Sequence, residues 1–137
     1  MIVNAEQKDL DYARENALYD NVKEYPPLEL TGWSKTLIID DEIIAVGGVV
    51  VFWPGVGEAW LQLTKHAEKH KIVLVRCVRL IMALAFKELN LHRMEATATF
   101  DEARKFNESM GFKCETPDGM RKYTQNGKTA YLYSIVR

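Results

Sequence analysis

Two long apolar runs constrain the fold of this 137-residue chain more than any other feature. The first, residues 43–53, is rich in valine and is typical of a strand that is covered on both faces. The second, residues 72–86, has the length of a helix and is interrupted only by Arg76 and Arg79. The first run is too short to cross a membrane and the second is charged, so both belong in a protein core.

Composition narrows the class of protein further. The formal net charge is -1, so no overall basic field is available to attract nucleic acid or an anionic membrane. The two cysteines, Cys77 and Cys114, form no C-x-x-C pair and are expected to be free thiols. Charges stand in residues 1–15 where a signal peptide needs an apolar core. We therefore expect one cytoplasmic domain over residues 1–137, with neither nucleic acid nor membrane as partner.

Three strands with short turns are predicted around the first apolar run. Residues 33–39 form the first strand, and Asp40-Asp41 turn the chain into the second. The third strand, residues 58–64, follows a turn that contains Gly55 and Gly57. Such short turns imply antiparallel pairing. Gly47-Gly48 inside the second strand signals a bulge or a close approach of another chain segment.

Periodicity predicts the remaining elements. A short first strand, three helices and one further strand are expected at residues 2–3, 6–19, 72–89, 100–110 and 92–98. The polar segment 65–71 precedes the long helix as a loop. The last helix is predicted to start at a capping box on Thr99 and to end at Gly111. A final hairpin of residues 120–125 and 128–135 is expected around Asn126-Gly127.

This order of elements predicts an α/β (α+β) fold. A long helix between two strands implies a right-handed crossover, and the other connections are short. The sheet should be mixed, mostly antiparallel and twisted, with helices on both faces.

Specific residues resemble a known superfamily. The stretch LNLHRMEATATFDEARKFNESMGFKCE, residues 89–115, closely resembles the fifth strand and fourth helix of the Gcn5-related N-acetyltransferase (GNAT) superfamily. It is nearest to the ribosomal-protein alanine acetyltransferase branch, which residues 118–123 and 131–134 also match. VGGVVVFWPGVGEAWLQLT, residues 46–64, is similar to short acetyltransferase-like proteins of tailed phages. In element order the resemblance covers about the whole chain and implies the GNAT fold.

The resemblance implies an acyl-CoA-dependent N-acyltransferase. Such a protein moves an acetyl group from acetyl-CoA to a primary amine, on a small molecule or a protein, by direct attack. Free main-chain amides of the fourth strand would hold the coenzyme A arm, and here that segment is Leu61, Gln62, Leu63 and Thr64. The general base would be Glu58, because the apolar side chains beside it favour a raised carboxyl pKa.

Several positions depart from the family pattern. Val73 and Val75 stand where two glycines would open the pyrophosphate turn. Positive charge beside them could bind phosphate instead, and it comes from Lys69, His70, Lys71 and Arg76.

On the last helix, Asn107 takes the place of a proton-donating tyrosine. It is a candidate contact to the cofactor but no acid, and Phe100 replaces a frequent asparagine.

Each of these residues also has a simpler explanation. Residues 61–64 fit an ordinary strand, HAEKHK a solvated loop, and Glu58 a surface carboxylate. Asn107 fits a polar position at the edge of a buried helix face. His66 and His70 have no third ligand near them in sequence, so no metal site is predicted.

Two functions follow from this pattern. One is the N-acetyltransferase, and the other is a catalytically degenerate GNAT-fold phage protein that acts as an interaction or structural module. An apolar sheet edge leaves a homodimer open.

Overall fold

The computed structural model describes all residues, Met1–Arg137. It contains seven strands and three α-helices. In chain order they are β1 (Ile2–Asn4), α1 (Gln7–Glu15), β2 (Trp33–Ile39), β3 (Glu42–Trp53), β4 (Val56–Leu63), α2 (Lys71–Glu88), β5 (Arg93–Ala98), α3 (Asp101–Ser109), β6 (Lys113–Cys114) and β7 (Tyr131–Val136). Two short 3-10 helices cover Asp20–Glu24 and Lys65–His70. No helix combines the length and the apolarity that a membrane span requires.

The strand order is β1-β2-β3-β4-β5-β7-β6. The pairs β1–β2, β2–β3, β5–β7 and β6–β7 are antiparallel. The pair β4–β5 is parallel, and α2 lies between its two strands in the chain. The predicted mixed, mostly antiparallel sheet with a helical crossover is confirmed.

The chain folds into two compact units, Met1–Val50 with Trp60–Ala85, and Val51–Ala59 with Phe86–Arg137. One domain over residues 1–137 stays a prediction about how these units assemble.

Two apolar clusters hold the first unit together. In one, Leu10 and Ala13 of α1 pack against Val46 of β3. In the other, Leu74 of α2 packs with a set of buried residues from β2, β3 and the 3-10 helix, namely Leu37, Ile44, Ala45 and Ala67. Helices α1 and α2 therefore both place their apolar stripe against β3, as the helical spacing of these residues predicts.

A buried phenol joins α3 to β7 in the second unit. Tyr133 is 0% exposed, and its hydroxyl donates to Glu108 Oε2 at 2.8 Å while it accepts from Arg104 Nε at 3.1 Å. The guanidinium of Arg104 also lies over the ring of Tyr131, 3.6 Å from its centroid. Burial and the bond to Glu108 raise the pKa of Tyr133, although the bond from Arg104 opposes them. This network fixes one face of α3 on the strand.

Several boundaries differ from the sequence prediction. Helix α1 ends at Glu15 instead of residue 19, because Ala17 forms an antiparallel bridge with Thr64. Phe100 is the N-cap of α3 and provides no side-chain hydrogen bond, so the capping box expected at Thr99 is wrong. The stop at Gly111 is confirmed by its φ of 95°.

The predicted final hairpin is also only partly correct. A turn does form at Asn126-Gly127, with the Gly127 amide donating to the Thr124 carbonyl at 2.9 Å. The residues before it do not form a strand, however, and Met120 pairs only through an isolated bridge to Ala130. Strand β7 instead pairs antiparallel with Lys113–Cys114 on the side that β5 does not use.

The apolar runs are less buried than expected. Strand β3 exposes four consecutive residues at its end, Val50, Val51, Phe52 and Trp53, so it is covered on both faces only in its first part. Helix α2 exposes Ile72 (71%) and Leu80 (64%) beside its arginines. Apolar periodicity predicted these elements correctly but overestimated the cover over them.

Gly48 is required by a close approach, which confirms the signal read from Gly47-Gly48. A Cβ atom on Gly48 would lie 2.3 Å from the main-chain oxygen of Trp33. We expect Gly48→Ala to lower the free energy of unfolding by about 2–3 kcal/mol, because β2 must shift to admit the methyl group.

The control is Gly127→Ala, where the added Cβ meets open space and only the positive φ of 78° is unfavourable. It should cost about 1 kcal/mol in the same urea unfolding experiment. Equal losses for the two variants would show that β2 and β3 do not approach so closely.

Candidate functional site

The last residues of β4 direct their main-chain groups alternately to opposite sides. The amide of Thr64 donates to the Ile44 carbonyl at 3.0 Å, so residue 64 faces β3. Consecutive residues of a strand face opposite sides, so Leu61 and Leu63 direct their amides away from β3. The carbonyl of Leu63 confirms this direction, since it accepts from the Leu18 amide at 3.1 Å.

The parallel register of β4 with β5 is short. It comprises Val56↔Arg93, Gly57↔Met94 and Glu58↔Glu95. Strand β4 nevertheless continues for residues 59–63. The amides of Leu61 and Leu63 therefore lie on the side of β4 that β3 does not use and beyond the last register pair with β5. Among residues 61–64, these two direct their amides away from β3, and their contact with a coenzyme A arm stays a prediction.

Thr64 has a structural role. Its side chain is 0% exposed, and its hydroxyl donates to the carbonyls of Ile43 at 2.7 Å and Ile44 at 3.2 Å. The same oxygen accepts from the His66 amide at 3.3 Å and caps the 3-10 helix. Neither its amide nor its hydroxyl is free for a ligand. Gln62, two residues from Thr64, likewise directs its amide to β3.

The segment before α2 is helical, which corrects the predicted loop. The 3-10 helix Lys65–His70 runs directly into α2, and Lys71 at the junction has right-handed helical angles of φ -56° and ψ -44°. Val73 and Val75 consequently lie inside α2, where the family pattern would place an open glycine turn. The carbonyls of the 3-10 helix precede α2. The first amides of α2 are therefore not the free donors of an isolated helix N-terminus.

A shallow depression of about 280 Å³ lies at this junction and is lined by Glu68, Lys69, His70, Lys71, Ile72 and Val73. It gathers the three consecutive basic residues predicted to contact phosphate. Arg76 is exposed on α2 but does not line the depression.

Glu42 restrains the basic segment. Its carboxylate receives Lys69 Nζ at 3.3 Å and His66 Nδ1 at 2.5 Å. The other ring nitrogen of His66, Nε2, lies 3.0 Å from the hydroxyl of Tyr12. Lys69 is therefore already paired, although its side chain stays 60% exposed. No ion pair holds Lys71 or Arg76, which leaves these two charges available to an anion.

Glu58 lies near the start of β4, in the second unit, and is half-buried. Burial raises its pKa, and the neighbouring carboxylate of Glu95 raises it further. A carboxylate with a raised pKa binds a proton more strongly and is a better general base near neutral pH. The raised pKa suits the role predicted for Glu58, and that role stays a prediction.

An ionic chain lies beside Glu58 and was not anticipated from the sequence. Arg93 Nε donates to Glu95 Oε2 at 2.7 Å, and its terminal nitrogen pairs with Glu115. A bond from Ser134 and the pair with Arg93 lower the pKa of Glu115. The alternation of residues 92–98 does place Arg93 and Glu95 on one face, but the register that sets Glu95 beside Glu58 needs the structure.

Asn107 lies half-buried on α3. Its carbonyl accepts from the amides of Met110 at 3.1 Å and Phe112 at 3.0 Å, which close the end of the helix. Its predicted contact with the cofactor stays a prediction. The hydroxyl of Tyr133 is engaged by Arg104 and Glu108, so this side chain packs α3 on the strand.

Comparison with known proteins identifies the fold. An acetyltransferase of the GNAT family from Bacillus anthracis has 16% identity and a TM-score of 0.72, over 98% of this chain and 93% of its own. A ribosomal-protein-S5-alanine acetyltransferase from Vibrio fischeri has 18% identity and a TM-score of 0.69, over 98% and 91%. A variant of spermidine N-acetyltransferase from Vibrio cholerae has 13% identity and a TM-score of 0.73, over 99% and 94%.

No protein-family profile and no curated protein matches this sequence. At such identities the likeness establishes the GNAT fold, as the residues predicted, and leaves the activity to be inferred from the site.

The raised pKa of Glu58 predicts how stability depends on pH. The folded protein binds this proton more strongly than the unfolded chain, whose glutamate pKa is about 4.3. Stability from Glu58 is therefore fully present below that pH and is lost as the pH rises through the folded pKa. Glu58→Gln should be more stable than the wild type at pH 7, and the difference should shrink towards zero at about pH 4.

Urea unfolding at both pH values measures this difference, with exposed Glu29→Gln as the control for loss of one charge. If the difference in unfolding free energy between Glu58→Gln and the wild type is the same at pH 4 and pH 7, the raised pKa is contradicted.

Proposed function

We propose that this protein is an acyl-CoA-dependent N-acyltransferase that transfers an acetyl group from acetyl-CoA to a primary amine. The observation that carries the proposal is the main chain of β4. Its amides at Leu61 and Leu63 face away from β3, beyond the last register pair with β5 at Glu58↔Glu95. Main-chain amides that face this side of a strand are suited to binding an extended pantetheine arm and its thioester carbonyl.

The fold supports the same reading. All three solved structures described above carry acetyltransferase names, and their likeness covers nearly the whole chain. Fold alone does not decide function, so the weight falls on the residues of the site.

Glu58 supplies the acid–base chemistry. An amine arrives largely as an ammonium ion and must lose a proton before it can attack. In our proposal Glu58 takes this proton, directly or through water. The neutral amine then attacks the thioester carbonyl carbon, so that a C–N bond forms as the C–S bond breaks. The second amine proton passes to the departing thiolate, because Asn107 cannot act as an acid.

The basic depression is the proposed phosphate contact. Lys71 and Arg76 have no ion-pair partner, and His70 lies between them and the restrained Lys69. Side-chain charge would here replace the glycine turn, which Val73 and Val75 exclude. This substitution predicts binding that weakens with salt more than binding through main-chain amides does.

A second candidate function is favoured by a specific observation. The continuous helix through residues 65–88 leaves no open turn for a pyrophosphate, and Phe52 and Trp53 are exposed at the end of β3, with Trp53 at 62%. A degenerate GNAT-fold protein, of phage origin or otherwise, would bind a partner through such apolar side chains. It would not bind acetyl-CoA.

Acetyl-CoA binding separates the two functions. At a ligand concentration a hundred times the dissociation constant, a bound ligand adds about 2.7 kcal/mol to the free energy of unfolding. We expect acetyl-CoA to raise the melting temperature of both the wild type and Glu58→Gln. Only the wild type should then release free coenzyme A thiol when a mixture of primary amines is added.

The control ligand is free adenosine, which lacks the thiol arm and the phosphates and should give no shift. No shift with millimolar acetyl-CoA would refute the transferase and favour the degenerate module. Full thiol release by Glu58→Gln would keep the transferase but remove Glu58 as its base.

A further inference from the structure

Glu58 shares one face of its unit with several charged side chains, of which Glu95 is its neighbour. Glu58 and Glu95 are register neighbours in a parallel pair, so both side chains point to the same face. Glu95 lies opposite Ser134 of β7, and Arg93 lies two residues before Glu95 on that face. Arg93 donates to both Glu95 and Glu115. The groups on this face are thus Arg93 and Glu95 from β5, Lys113 from β6 and the neutral Ser134 from β7, together with Glu115, which follows β6 and pairs with Arg93.

The geometry points to Glu95 and Arg93 as a pair of positioning residues that sets the pH range in which Glu58 acts as the base. This inference rests on the proposed function, since it assigns the two residues a role in that reaction. Neither residue is proposed to touch the substrate.

The roles of the two carboxylates differ because only one has a counter-ion. Glu95 accepts a 2.7 Å charge-assisted hydrogen bond from Arg93. Glu58 has no cationic partner among the ion pairs of the chain. A fixed negative charge beside a half-buried carboxyl makes loss of its proton harder.

Arg93 works in the opposite direction to Glu95. Its positive charge is shared between Glu95 and Glu115, so it neutralises only part of the negative charge on this face. Removing Glu95 would relieve the repulsion on Glu58. Removing Arg93 would take away the positive charge that pairs with Glu95, and would increase that repulsion.

Carboxyl titration by NMR tests the pair directly, with the side-chain carboxyl carbon of Glu58 followed from pH 3 to 9. We expect Glu95→Gln to lower the pKa of Glu58 by about half a pH unit or more, and Arg93→Gln to raise it. Arg93→Lys keeps the charge and should retain the wild-type value. Glu108→Gln removes the same charge from the opposite face, where Tyr133 lies, and should also leave it unchanged.

The acidic limb of the pH profile of kcat/KM for acetyl transfer should follow the same order. A purely structural role would reduce activity at every pH without moving that limb. If Glu95→Gln and Arg93→Gln both fold and leave the pKa of Glu58 unchanged, the inference is overturned while the transferase stands. If the NMR shifts appear but the wild type transfers no acetyl group, the proposed function fails and the charge coupling stands.

Discussion

The hydrogen-bonding capacity of β4 governs the rest of the site. Every residue of a strand has an amide and a carbonyl that need partners, and a central strand normally finds them on both sides. Strand β4 has its parallel register with β5 only up to Glu58, whereas Thr64 still bonds to Ile44 of β3. The amides of Leu61 and Leu63 fall between these points and face away from β3. In the proposed function, these amides donate to acceptor groups along an extended ligand.

The end of the register also determines the surroundings of Glu58. Glu58 is the last β4 residue in register with β5. The same pairing places Glu95 beside it, and Arg93 donates a hydrogen bond to Glu95. The parallel register therefore determines the electrostatics of the proposed base. It costs the fold some stability at neutral pH, as expected for a charged group held in a partly buried site.

Structural residues surround the site and explain why some predicted contacts are unavailable. The hydroxyl and the amide of Thr64 form hydrogen bonds with β3, and its hydroxyl also caps the 3-10 helix. Glu42 similarly restrains Lys69 through an ion pair. What remains for an anion is a smaller set of charges, centred on His70, Lys71 and Arg76. In the proposed function, these side-chain charges replace the absent glycine turn as the contacts to phosphate.

The sequence predicted the fold more completely than the site. Periodicity located β2, α2 and β5 to within a residue or two, because each has a clear alternating or helical pattern. Resemblance supplied Glu58 and residues 61–64, but not which amides face away from β3, since that depends on pairing. The role of Arg93 and Glu95 depends on register between strands that α2 separates in the chain. The helical form of residues 65–70 was missed because a polar segment gives no apolar period.

The most direct test follows individual amides while acetyl-CoA is added to the 15N-labelled protein. The account predicts that the amide resonances of Leu61 and Leu63 shift, with one dissociation constant common to both. The amide of Thr64, already bonded to Ile44, should stay protected from hydrogen exchange with and without the ligand. Saturation of the protein with acetyl-CoA that leaves Leu61 and Leu63 unshifted would contradict the claim that β4 holds the thiol arm.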